Sequence, residues 1–584
     1  MTADLTSAAS LVEVIRGNIA RHPERLAVAE VADPDEPDGV RWWSYGRLDE
    51  QARRVAAHLT ERGAPGDRVL LFFAGAHGFV AAFLGCLYAG MVALPAPIPG
   101  RYQHEQRRAR GIARDSGARF VLTGSGSRDV VAGWAAEALP GVEVTAVDTL
   151  VTDPGNCRIH PADRNTLAVL QYTSGSTSDP KGVRITHGNL LANADTLCAT
   201  VGADAETRFG GWIPNFHDMG LMGMIVPPLL CGGSTALMRP ETFLMRPHLW
   251  LRMVHRLGIH LSAAPSFAYR LCVRRIRDDH LAGVDLSRWR YTINGSEPVA
   301  ANVLEEFQER FAAVGFRPES MMPCFGLAEA TLFVSGSAGR PPRIHRADAD
   351  RLAAHRFVPV APGGRGRDLV SCGRVHDLDV RIVDPDSGAV LGPDEIGEIW
   401  LRGASVSRGY WQQPAATAAT FGHRTAAGEE GFLRTGDLGL LHDGELLVTG
   451  RLKETMVIRG RNLYPQDVEH ELRLHHSELD ATAGAVFSVP AGPAGDEVLV
   501  LTHEVRGRLA ADTLAELARG MRQTVAREFG VRAGAVALLR RGGVRRTTSG
   551  KIQRTAMRTL FLQRELSALH LDRDGDLADG GDVR

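Results

Sequence analysis

The chain has 584 residues, which is more than one compact domain usually contains. Its 67 basic and 68 acidic side chains leave a formal net charge of −1, so no overall positive field exists to attract nucleic acid. Apolar residues make up 44% of the chain and charged residues 23%, which is ordinary globular usage and excludes a disordered protein. Composition therefore predicts a folded protein of several domains whose partners do not include nucleic acid.

An uncharged stretch at residues 69–100 is long enough to nominate a membrane helix. Glycines interrupt this stretch, and Pro95 and Pro97 end it, so we predict a buried strand, a short helix and a second strand instead. The seven cysteines form no Cys-x-x-Cys pair, and the first residues lack the basic and apolar segments of a secretory signal. We therefore expect no transmembrane segment, no disulfide framework and a cytoplasmic location.

Apolar β-branched runs alternate with helical patterns through the first 450 residues, which predicts layers of parallel sheet and helix. The last part of this region, with strands between 380 and 449, is rich in strands and turns and indicates a small β subdomain. A small α+β unit comes after residue 450. In chain order, the predicted strands lie at 69–73, 120–123, 167–172, 234–238, 380–384, 398–402, 444–449 and 497–504, and the predicted helices at 303–314, 465–474 and 512–529.

The predicted fold class is therefore α/β, with a large N-terminal domain and a small C-terminal domain. The large domain, residues 1–450, contains parallel α/β sheet subdomains and the small β subdomain. We place the boundary at Gly450, so that the α+β C-terminal domain covers residues 451–570. Residues 571–584 are acidic, rich in glycine and free of aromatics, so we expect a disordered tail.

Residues 172–182 read Tyr-Thr-Ser-Gly-Ser-Thr-Ser-Asp-Pro-Lys-Gly and directly follow the predicted strand at 167–172. Four hydroxyls, the backbone donors near Gly175 and the cation of Lys181 can surround a polyphosphate from several sides. The lysine follows Pro180 and does not open a helix as Gly-Lys-Ser/Thr, so this segment is not a Walker A loop. The alternative is a solvated turn rich in Ser and Thr.

This segment resembles the phosphate-binding loop of the adenylate-forming superfamily, which contains acyl-CoA synthetases, luciferases and peptide-synthetase adenylation domains. Further matches follow in the family's order and span nearly the whole chain. The resemblance implies ATP-dependent conversion of a carboxylate into an acyl-adenylate. The matching segments are Asn-Gly-Ser-Glu-Pro at 294–298, Phe-Gly-Leu-Ala-Glu at 325–329, Gly-Ala-Ser-Val-Ser-Arg-Gly-Tyr-Trp at 403–411, Thr-Gly-Asp-Leu at 435–438, Gly-Arg-Leu-Lys-Glu at 450–454 and Thr-Ser-Gly-Lys at 548–551.

The resemblance also implies roles for individual residues, with ATP and Mg²⁺ as cofactors. Lys551 would bridge the carboxylate and the α-phosphate of ATP, while Glu329 and Thr173 would bind Mg²⁺. Asp437 would bind the ribose with help from Arg451. The implied ATP-binding residues are Thr173, Ser174, Gly175, Ser176, Thr177, Lys181, Gly295, Ser296, Glu297, Phe325, Gly326, Leu327, Ala328, Asp437, Arg451 and Lys551.

In the family the small C-terminal domain is mobile, and Lys453 matches the hinge about which it rotates between the two half-reactions. Phe325 stands where the family more often has Tyr, so it keeps a ring face for stacking and lacks the hydroxyl. The expected catalytic residues are Lys551, Glu329, His217 and Arg451.

Several segments resemble one branch of the superfamily, the fatty acyl-AMP ligases. His217 lies in His-Asp-Met-Gly-Leu at 217–221, which is typical of this branch, and in the family a histidine at the matching place gates the acyl pocket. The Met-rich stretch at 219–225 suits an alkyl chain, although a methionine stripe equally suits a core. The expected acyl-pocket residues are Trp212, His217, Met219 and Met222.

An extra segment at 342–370 resembles an insertion specific to this branch. In the branch it packs on the large domain and is associated with rejection of coenzyme A, so that the acyl group passes to the phosphopantetheine arm of a carrier protein. Phe357, Val358 and Val360 are the expected anchors, and the alternative is a flexible surface loop. About thirty residues follow Lys551, too few for a carrier domain, so we expect the carrier protein to act in trans.

We therefore predict an enzyme that uses ATP and Mg²⁺ to convert a fatty acid into an acyl-adenylate and passes the acyl group to an acyl carrier protein of a polyketide or peptide synthase system. The alternative enzyme is a long-chain fatty acyl-CoA synthetase. The alternative from another class is a non-catalytic acyl-binding or nucleotide-binding protein. Basic runs at 101–119 and 540–546 suit either an acidic carrier protein or solvated faces.

Overall fold

The computed structural model of the protein describes residues 7–100, 103–172, 180–360, 366–458, 461–480, 482–491, 496–547 and 550–574. In these ranges the chain forms large sheets covered by helices, then a β subdomain and a final α+β unit. This is the α/β fold class that the sequence predicts. No helix within the described ranges is both long and apolar enough to cross a membrane.

The first part of the chain alternates strands and helices. Its uncharged stretch forms a strand, a helix and a second strand, as predicted, and nearly all of their side chains are buried. In chain order the elements are α1 (Leu11–Arg21), β1 (Leu26–Val31), β2 (Val40–Ser44), α2 (Tyr45–Thr60), β3 (Arg68–Phe72), α3 (Ala76–Tyr88), β4 (Val92–Ala96), α4 (Gln103–Ser116), β5 (Phe120–Thr123), α5 (Arg128–Ala138), β6 (Val144–Ala146), β7 (Leu167–Tyr172) and β8 (Gly182–Thr186).

The next part continues the alternation. The predicted strand at 234–238 has the predicted bounds, and the helix predicted at 303–314 begins at Ala301. The elements are α6 (His187–Val201), β9 (Arg208–Gly211), α7 (Asp218–Met224), α8 (Val226–Cys231), β10 (Ser234–Met238), α9 (Pro240–Met245), α10 (His248–Leu257), β11 (Leu261–Ala264), α11 (Ser266–Arg275), β12 (Tyr291–Asn294), α12 (Ala301–Phe311), β13 (Met321–Gly326), β14 (Phe333–Gly336), β15 (Ile344–Ala347), α13 (Ala349–Ala353), β16 (Arg367–Val370) and β17 (Arg374–Val375).

Two large sheets organise these elements in the described ranges. One has the strand order β6-β5-β3-β4-β7-β8, and the other has the order β17-β14-β13-β12-β11-β9-β10-β1-β2. Strands β3, β4, β5, β6 and β7 pair in parallel, as do β9 to β13 and β1 with β10. One apolar core joins strands of both sheets to α2, α3 and α6. The carboxyl ends of the parallel strands are therefore available for a shared site.

The last part contains the β subdomain, with strand order β18-β19-β20-β21, and the small unit, with strand order β24-β25-β26-β27. Strand β21 ends at Arg451, one residue beyond the boundary placed at Gly450. The elements are β18 (Asp379–Val383), β19 (Gly397–Arg402), α14 (Pro414–Ala418), β20 (Leu433–His442), β21 (Glu445–Arg451), β22 (Met456–Ile458), β23 (Arg461–Leu463), α15 (Pro465–His475), β24 (Gly484–Ala491), β25 (Asp496–Glu504), α16 (Ala511–Phe529), β26 (Ala533–Leu539), α17 (Arg554–Leu562) and β27 (Ala568–Arg573).

The predicted disordered tail is wrong at its first residues. Strand β27 takes in residues 571–573 and pairs antiparallel with β26. Arg522 on α16 holds this end of the chain, because its guanidinium lies 3.1 Å from Oδ2 of Asp572 and 3.2 Å from Oδ1 of Asp574. The acidic residues therefore have a cationic partner that composition alone does not reveal. Residues 575–584 lie outside the described ranges.

The segment predicted as an insertion forms a hairpin-like unit. Strands β15 and β16 pair antiparallel, and α13 lies between them. Phe357 is buried in a core cluster that includes Leu438 and Tyr464, so this predicted anchor packs inward, whereas Val358 is 36% exposed and does not. Nη1 of Arg367 lies 2.8 Å from Oδ2 of Asp467, which joins the segment to α15 of the small unit. Residues 361–365 lie outside the described ranges.

Asn193 on α6 connects the helix layer to the edge of the larger sheet. Its Oδ1 accepts a hydrogen bond from the backbone N–H of Phe333 (3.0 Å), and its Nδ2 donates to the carbonyls of Phe333 (2.8 Å) and Ala330 (3.3 Å). The side chain is buried, so these backbone groups have no access to water. Asn193 therefore fixes the start of β14, which lies three residues after Ala330.

We expect Asn193→Ala to lower the free energy of unfolding by about 2–4 kcal/mol, because it leaves buried backbone groups without hydrogen-bond partners. Chemical denaturation of both proteins measures this difference. Asn156→Ala, at an exposed position, is the matched control and should change the stability by less than about 0.5 kcal/mol. Equal stability of the two variants would contradict the interpretation.

Candidate active site

A cavity of about 600 Å³ opens at the carboxyl ends of the parallel strands and is closed on its other side by residues of the small unit. Ligands of α/β proteins commonly bind in such a position. The cavity brings together many of the residues that the sequence predicts for the site. They are Lys181, His217, Met219, Gly295, Ser296, Phe325, Gly326, Leu327, Ala328, Glu329, Asp437, Arg451, Lys453 and Lys551.

The predicted phosphate loop is only partly described. Thr173, Ser174, Gly175, Ser176 and Thr177 lie outside the described residues, while the loop's neighbours Tyr172 and Lys181 line the cavity. Three other residues predicted for the site do not line this cavity. They are Glu297, Trp212 and Met222.

Glu297 supports the wall and does not form it. Its Oε1 accepts a hydrogen bond from the backbone N–H of Phe267 (2.7 Å), in the first turn of α11. A carboxylate is favoured there because the unpaired N–H groups of a helix start carry partial positive charge. Burial raises the pKa of Glu297, although this hydrogen bond and Lys551 act in the opposite direction. The geometry therefore gives Glu297 a positioning role at α11.

The expectation that Trp212 and Met222 line an acyl pocket is corrected by the structure. The ring of Trp212 stacks on Phe243 with centroids 3.9 Å apart, inside the second apolar core. Met222 lies in the first core, on the side of α7 that packs against the helix layer. Met219 and Gly223, one helical turn apart, face the cavity instead, because residues four apart share one side of a helix. Sequence spacing alone does not say which side that is.

Tyr410 is a cavity residue that was missing from the predicted site, although it lies in the matched segment 403–411. Its hydroxyl donates a hydrogen bond of 2.8 Å to Oε1 of Glu329. The ammonium of Lys181 lies 5.0 Å from the centroid of the same ring, within cation–π range. A β-bridge between Val183 and Tyr410 holds the ring in this position. Tyr410 thus connects the predicted phosphate-binding cation with the predicted metal-binding carboxylate.

The carboxylate of Glu329 lies in the cavity wall beside Tyr410. Burial raises its pKa, while the hydrogen bond from Tyr410 and the charge of Arg451 lower it. The backbone also fixes this residue, since the carbonyl of Glu329 accepts a hydrogen bond of 2.8 Å from the N–H of Ser407. A cation that approaches a buried carboxylate stabilises its ionised form.

Asp437 and Arg451 face each other as register partners of β20 and β21. Nε of Arg451 donates a hydrogen bond of 2.9 Å to Oδ1 of Asp437, which is buried. Behind them lies Glu398, a carboxylate that is only 2% exposed. It accepts hydrogen bonds from Nε of Arg434 (2.8 Å) and from the backbone N–H of Gly436 (3.0 Å). Glu398 therefore fixes the turn that presents Asp437 to the cavity.

Lys551 enters the cavity from the small unit. Its backbone N–H donates to Oγ1 of Thr547 (3.0 Å), and its carbonyl accepts from the N–H of Thr547 (2.8 Å). Gly550 has φ +86° and packs so closely on Phe267 of α11 that an added Cβ would be 3.2 Å from the ring. Burial lowers the pKa of the Lys551 ammonium, whereas the carboxylates of Asp218, Asp437 and Glu297 raise it. A cation of one domain thus faces acids of the other.

His217 and Asp218 begin α7 at the apolar end of the cavity. Nδ1 of His217 lies 2.7 Å from Oδ1 of Asp218, and the backbone N–H of Met219 donates to both side chains. Burial acts to raise the pKa of Asp218, but His217, Lys551 and this hydrogen bond together lower it to about 2. Asp218 is therefore a carboxylate at every physiological pH.

Residues 15–411 match the family described as AMP-binding enzyme. The chain belongs to this family. A curated relative is 38% identical over 535 residues, with 89% of this chain and 90% of the relative covered, and is named medium-chain-fatty-acid–acyl-carrier-protein ligase of Moorena producens. A 4-hydroxyphenylalkanoate adenylyltransferase of Mycobacterium marinum is 34% identical, with 95% of this chain and 92% of the relative covered.

Among solved structures, this AMP-binding enzyme is similar to a fatty acyl-adenylate ligase of L. pneumophila in complex with acyl adenylate and pyrophosphate. The TM-score is 0.75 and the identity 32%, with 98% of this chain and 99% of the other chain covered. The resemblance to the adenylate-forming superfamily and to its acyl-AMP ligase branch, inferred from the motifs, is thereby confirmed.

We expect Glu398→Ala to destabilise the enzyme by about 3–5 kcal/mol, because Arg434 and the N–H of Gly436 lose a buried partner. It should also weaken AMP binding, since the turn before Asp437 is no longer fixed. Thermal unfolding and calorimetric titration with AMP measure the two effects.

The control is Glu430→Ala, which removes an exposed carboxylate paired with Arg424. Exposed pairs contribute about 0–1 kcal/mol, so this variant should behave like the wild type. Wild-type stability and AMP affinity in Glu398→Ala would show that the network does not support the turn.

Proposed function

We propose that the enzyme uses ATP to convert a fatty acid into an acyl-adenylate, with release of pyrophosphate, and then passes the acyl group to an acyl carrier protein acting in trans. The observation that carries this proposal is the position of Lys551, which the small unit places in the same cavity as Glu329 and Asp437. Names of the relatives agree, since they refer to fatty acids, acyl-adenylates and an acyl carrier protein. We place the reaction in the cytoplasm, where ATP is supplied.

The apolar wall of the cavity supports an acyl substrate. Methionine, leucine and aromatic side chains adapt to an alkyl chain and exclude water around it. In this part of the cavity His217 is the polar boundary, next to Phe216 and Met219. The apolar lining residues are Leu197, Phe216, Met219, Met224, Ala263, Ile293, Cys324, Leu332 and Phe333.

The chemistry requires cations, because an anionic carboxylate attacks an anionic triphosphate. A carboxylate oxygen forms a bond to the α-phosphorus, the bond to the bridging oxygen breaks, and its electron pair leaves with pyrophosphate. We assign Lys551 to the oxygens between carboxylate and α-phosphate, where charge develops. Lys181 would bind the outer phosphates together with residues 173–177. Asp437, positioned by Arg451, would accept hydrogen bonds from the ribose hydroxyls.

The residues present also fit Mg²⁺. Among the described residues, no group of three or more His, Cys, Asp or Glu side chains could hold a metal ion. Mg²⁺ does not need such a group, because it is commonly bound by one or two carboxylates together with substrate phosphates and water. The buried carboxylate of Glu329 suits this arrangement, and Thr173 is the second proposed ligand. When bound, the cation would neutralise charge on the phosphate oxygens.

The choice of acceptor rests on the segment at 342–370. Phe357 anchors it on the large domain, and Arg367 joins it to Asp467 of the small unit. Burial raises the pKa of Asp467 to about 6; the charge of Arg367 opposes this rise, and the charges of Glu471 and Glu469 add to it. Because the matching insertion of the fatty acyl-AMP ligase branch is associated with rejection of coenzyme A, we infer that this segment favours a carrier protein as the acceptor. Lys453, next to Glu454 at the start of the small unit, is the proposed hinge.

The test of this function is mass spectrometry of the products from enzyme, ATP, Mg²⁺ and dodecanoate, with and without CoA or a phosphopantetheinylated carrier protein. We expect acyl-AMP that ignores CoA and disappears when the carrier protein is acylated. Acyl-CoA as the product would establish the synthetase instead. If 4-hydroxyphenylalkanoates react and fatty acids do not, the substrate class is wrong and the reaction type stands.

Variants of two lysines separate the half-reactions. Lys551→Ala should reduce acyl-AMP formation at least 100-fold, because a cation at the reacting centre is lost. Lys453→Ala should leave acyl-AMP formation within a few-fold of the wild type and slow transfer to the carrier protein. Unchanged adenylation in Lys551→Ala would remove the catalytic assignment of this lysine, whereas a wild-type protein that forms no acyl-adenylate would favour a binding protein.

Tyr410→Phe tests the carboxylate of Glu329. The hydrogen bond lost in this variant lowers the pKa of Glu329, so its removal raises that pKa further. Because the ionised form binds a cation, we expect the rise of activity with pH to move to higher pH, while the plateau above it keeps most of its height. The pH profile of ATP–pyrophosphate exchange measures this shift, and superimposable profiles would rule out the linkage.

A further inference from the structure

One face of α4 lies along both ends of the segment 173–179. Oδ2 of Asp115 accepts a hydrogen bond of 2.7 Å from the hydroxyl of Tyr172, the residue before the segment. Pro180, the residue after it, packs on Gly111, where an added Cβ would be 3.1 Å from Cγ of the proline. Nε2 of Gln413 donates to Oδ1 of Asp115 (3.1 Å) and to the carbonyl of Pro180 (3.2 Å). This face of the helix is thus fixed beside the predicted phosphate loop.

Arg108 continues this face by one turn toward the start of the helix. Positions 108, 111, 112 and 115 have the spacing of residues that share one side of a helix. Arg108 and Ile112 line the cavity together with Tyr172 and Lys181. Arg108 therefore forms part of the cavity wall close to Tyr172, the last residue of strand β7.

Three other arginines of the basic run at 101–119 are either paired with a carboxylate or exposed. Arg110 pairs with Glu137 at 2.6 Å, and Arg119 pairs with Asp67 at 3.0 Å, while Arg107 is exposed. In the described parts of the chain Arg108 has neither a hydrogen bond nor an ion pair, and burial lowers its pKa. A partly buried cation without a partner is unfavourable unless an anion binds to it. Solvated faces and a carrier-protein surface do not explain this residue.

A phosphate group is the anion that fits this position. During adenylate formation, negative charge builds up on the departing pyrophosphate as the bond to the α-phosphorus breaks. Lys181 supplies one positive charge on this side of the cavity, and its ammonium already lies over the ring of Tyr410. The planar fork of an arginine can donate two parallel hydrogen bonds to two phosphate oxygens, a fixed geometry that the ammonium of a lysine lacks.

We propose that Arg108 is a phosphate-binding residue that holds the pyrophosphate end of ATP together with Lys181 and stabilises pyrophosphate as it departs. The proposal rests on ATP being the substrate of the proposed function. It gives part of the basic run on α4 a role inside the site.

The experiment is calorimetric titration of the enzyme with inorganic pyrophosphate, ATP and AMP in Mg²⁺ buffer, without a fatty acid. We expect Arg108→Met to weaken the binding of pyrophosphate and ATP about 10-fold, while the affinity for AMP, which lacks the two outer phosphates, is unchanged. Arg107→Met, the exposed neighbour, should match the wild type for all three ligands. Arg108→Lys should recover part of the affinity, because the charge returns without the fork.

Wild-type affinity of Arg108→Met for pyrophosphate and ATP would overturn the proposal, as would an equal loss for AMP. Circular dichroism first shows that the variants are folded; if Arg108→Met is not, Arg108→Lys carries the same comparison against Arg107→Met. A wild-type enzyme that binds ATP and pyrophosphate but forms no acyl-adenylate would contradict the proposed fatty acid substrate and leave the assignment of Arg108 intact.

Discussion

Repulsion between a carboxylate and a triphosphate is the constraint to which this site responds. Joining them requires cations that converge on a small volume, yet cations placed together repel one another and lose hydration. In this protein the cations come from different parts of the chain, and most of them have an acidic or aromatic partner. Lys551 comes from the small unit and faces Asp218, Asp437 and Glu297, Arg451 pairs with Asp437, and Lys181 lies over Tyr410. A more negatively charged ligand can therefore compete with these partners for each of the three cations.

The fold makes this convergence possible. Parallel strands of both large sheets end at the cavity, so Tyr172 at the end of β7 and the loops after β12 and β13 reach it from different directions. Buried polar side chains keep these loops in place. Asn193 fixes the backbone after Glu329, Glu398 fixes the turn before Asp437, and Glu297 holds the start of α11, on which the loop of Lys551 packs.

The two domains also meet at two separate contacts. Gly550, next to Lys551, packs on Phe267 of α11. The segment at 342–370 meets α15 through Arg367 and Asp467, in a more buried environment. The first contact lies beside Lys551 in the cavity, and the second joins the segment at 342–370 to the small unit.

The sequence by itself determined the fold class, most strand and helix positions, and the matched residues that line the cavity, because strands, helices and loop motifs are local patterns. It did not determine which side of α7 faces the cavity, so the sequence predicts Met222 there although it lies in the first core. Nor did it show that Trp212, in the loop after β9, packs in the second core. It also did not show the bond from Tyr410 to Glu329, the strand at residues 568–573, or the direction of Arg108. Only the tertiary structure decided these points, since each depends on groups far apart in the chain that packing brings into contact.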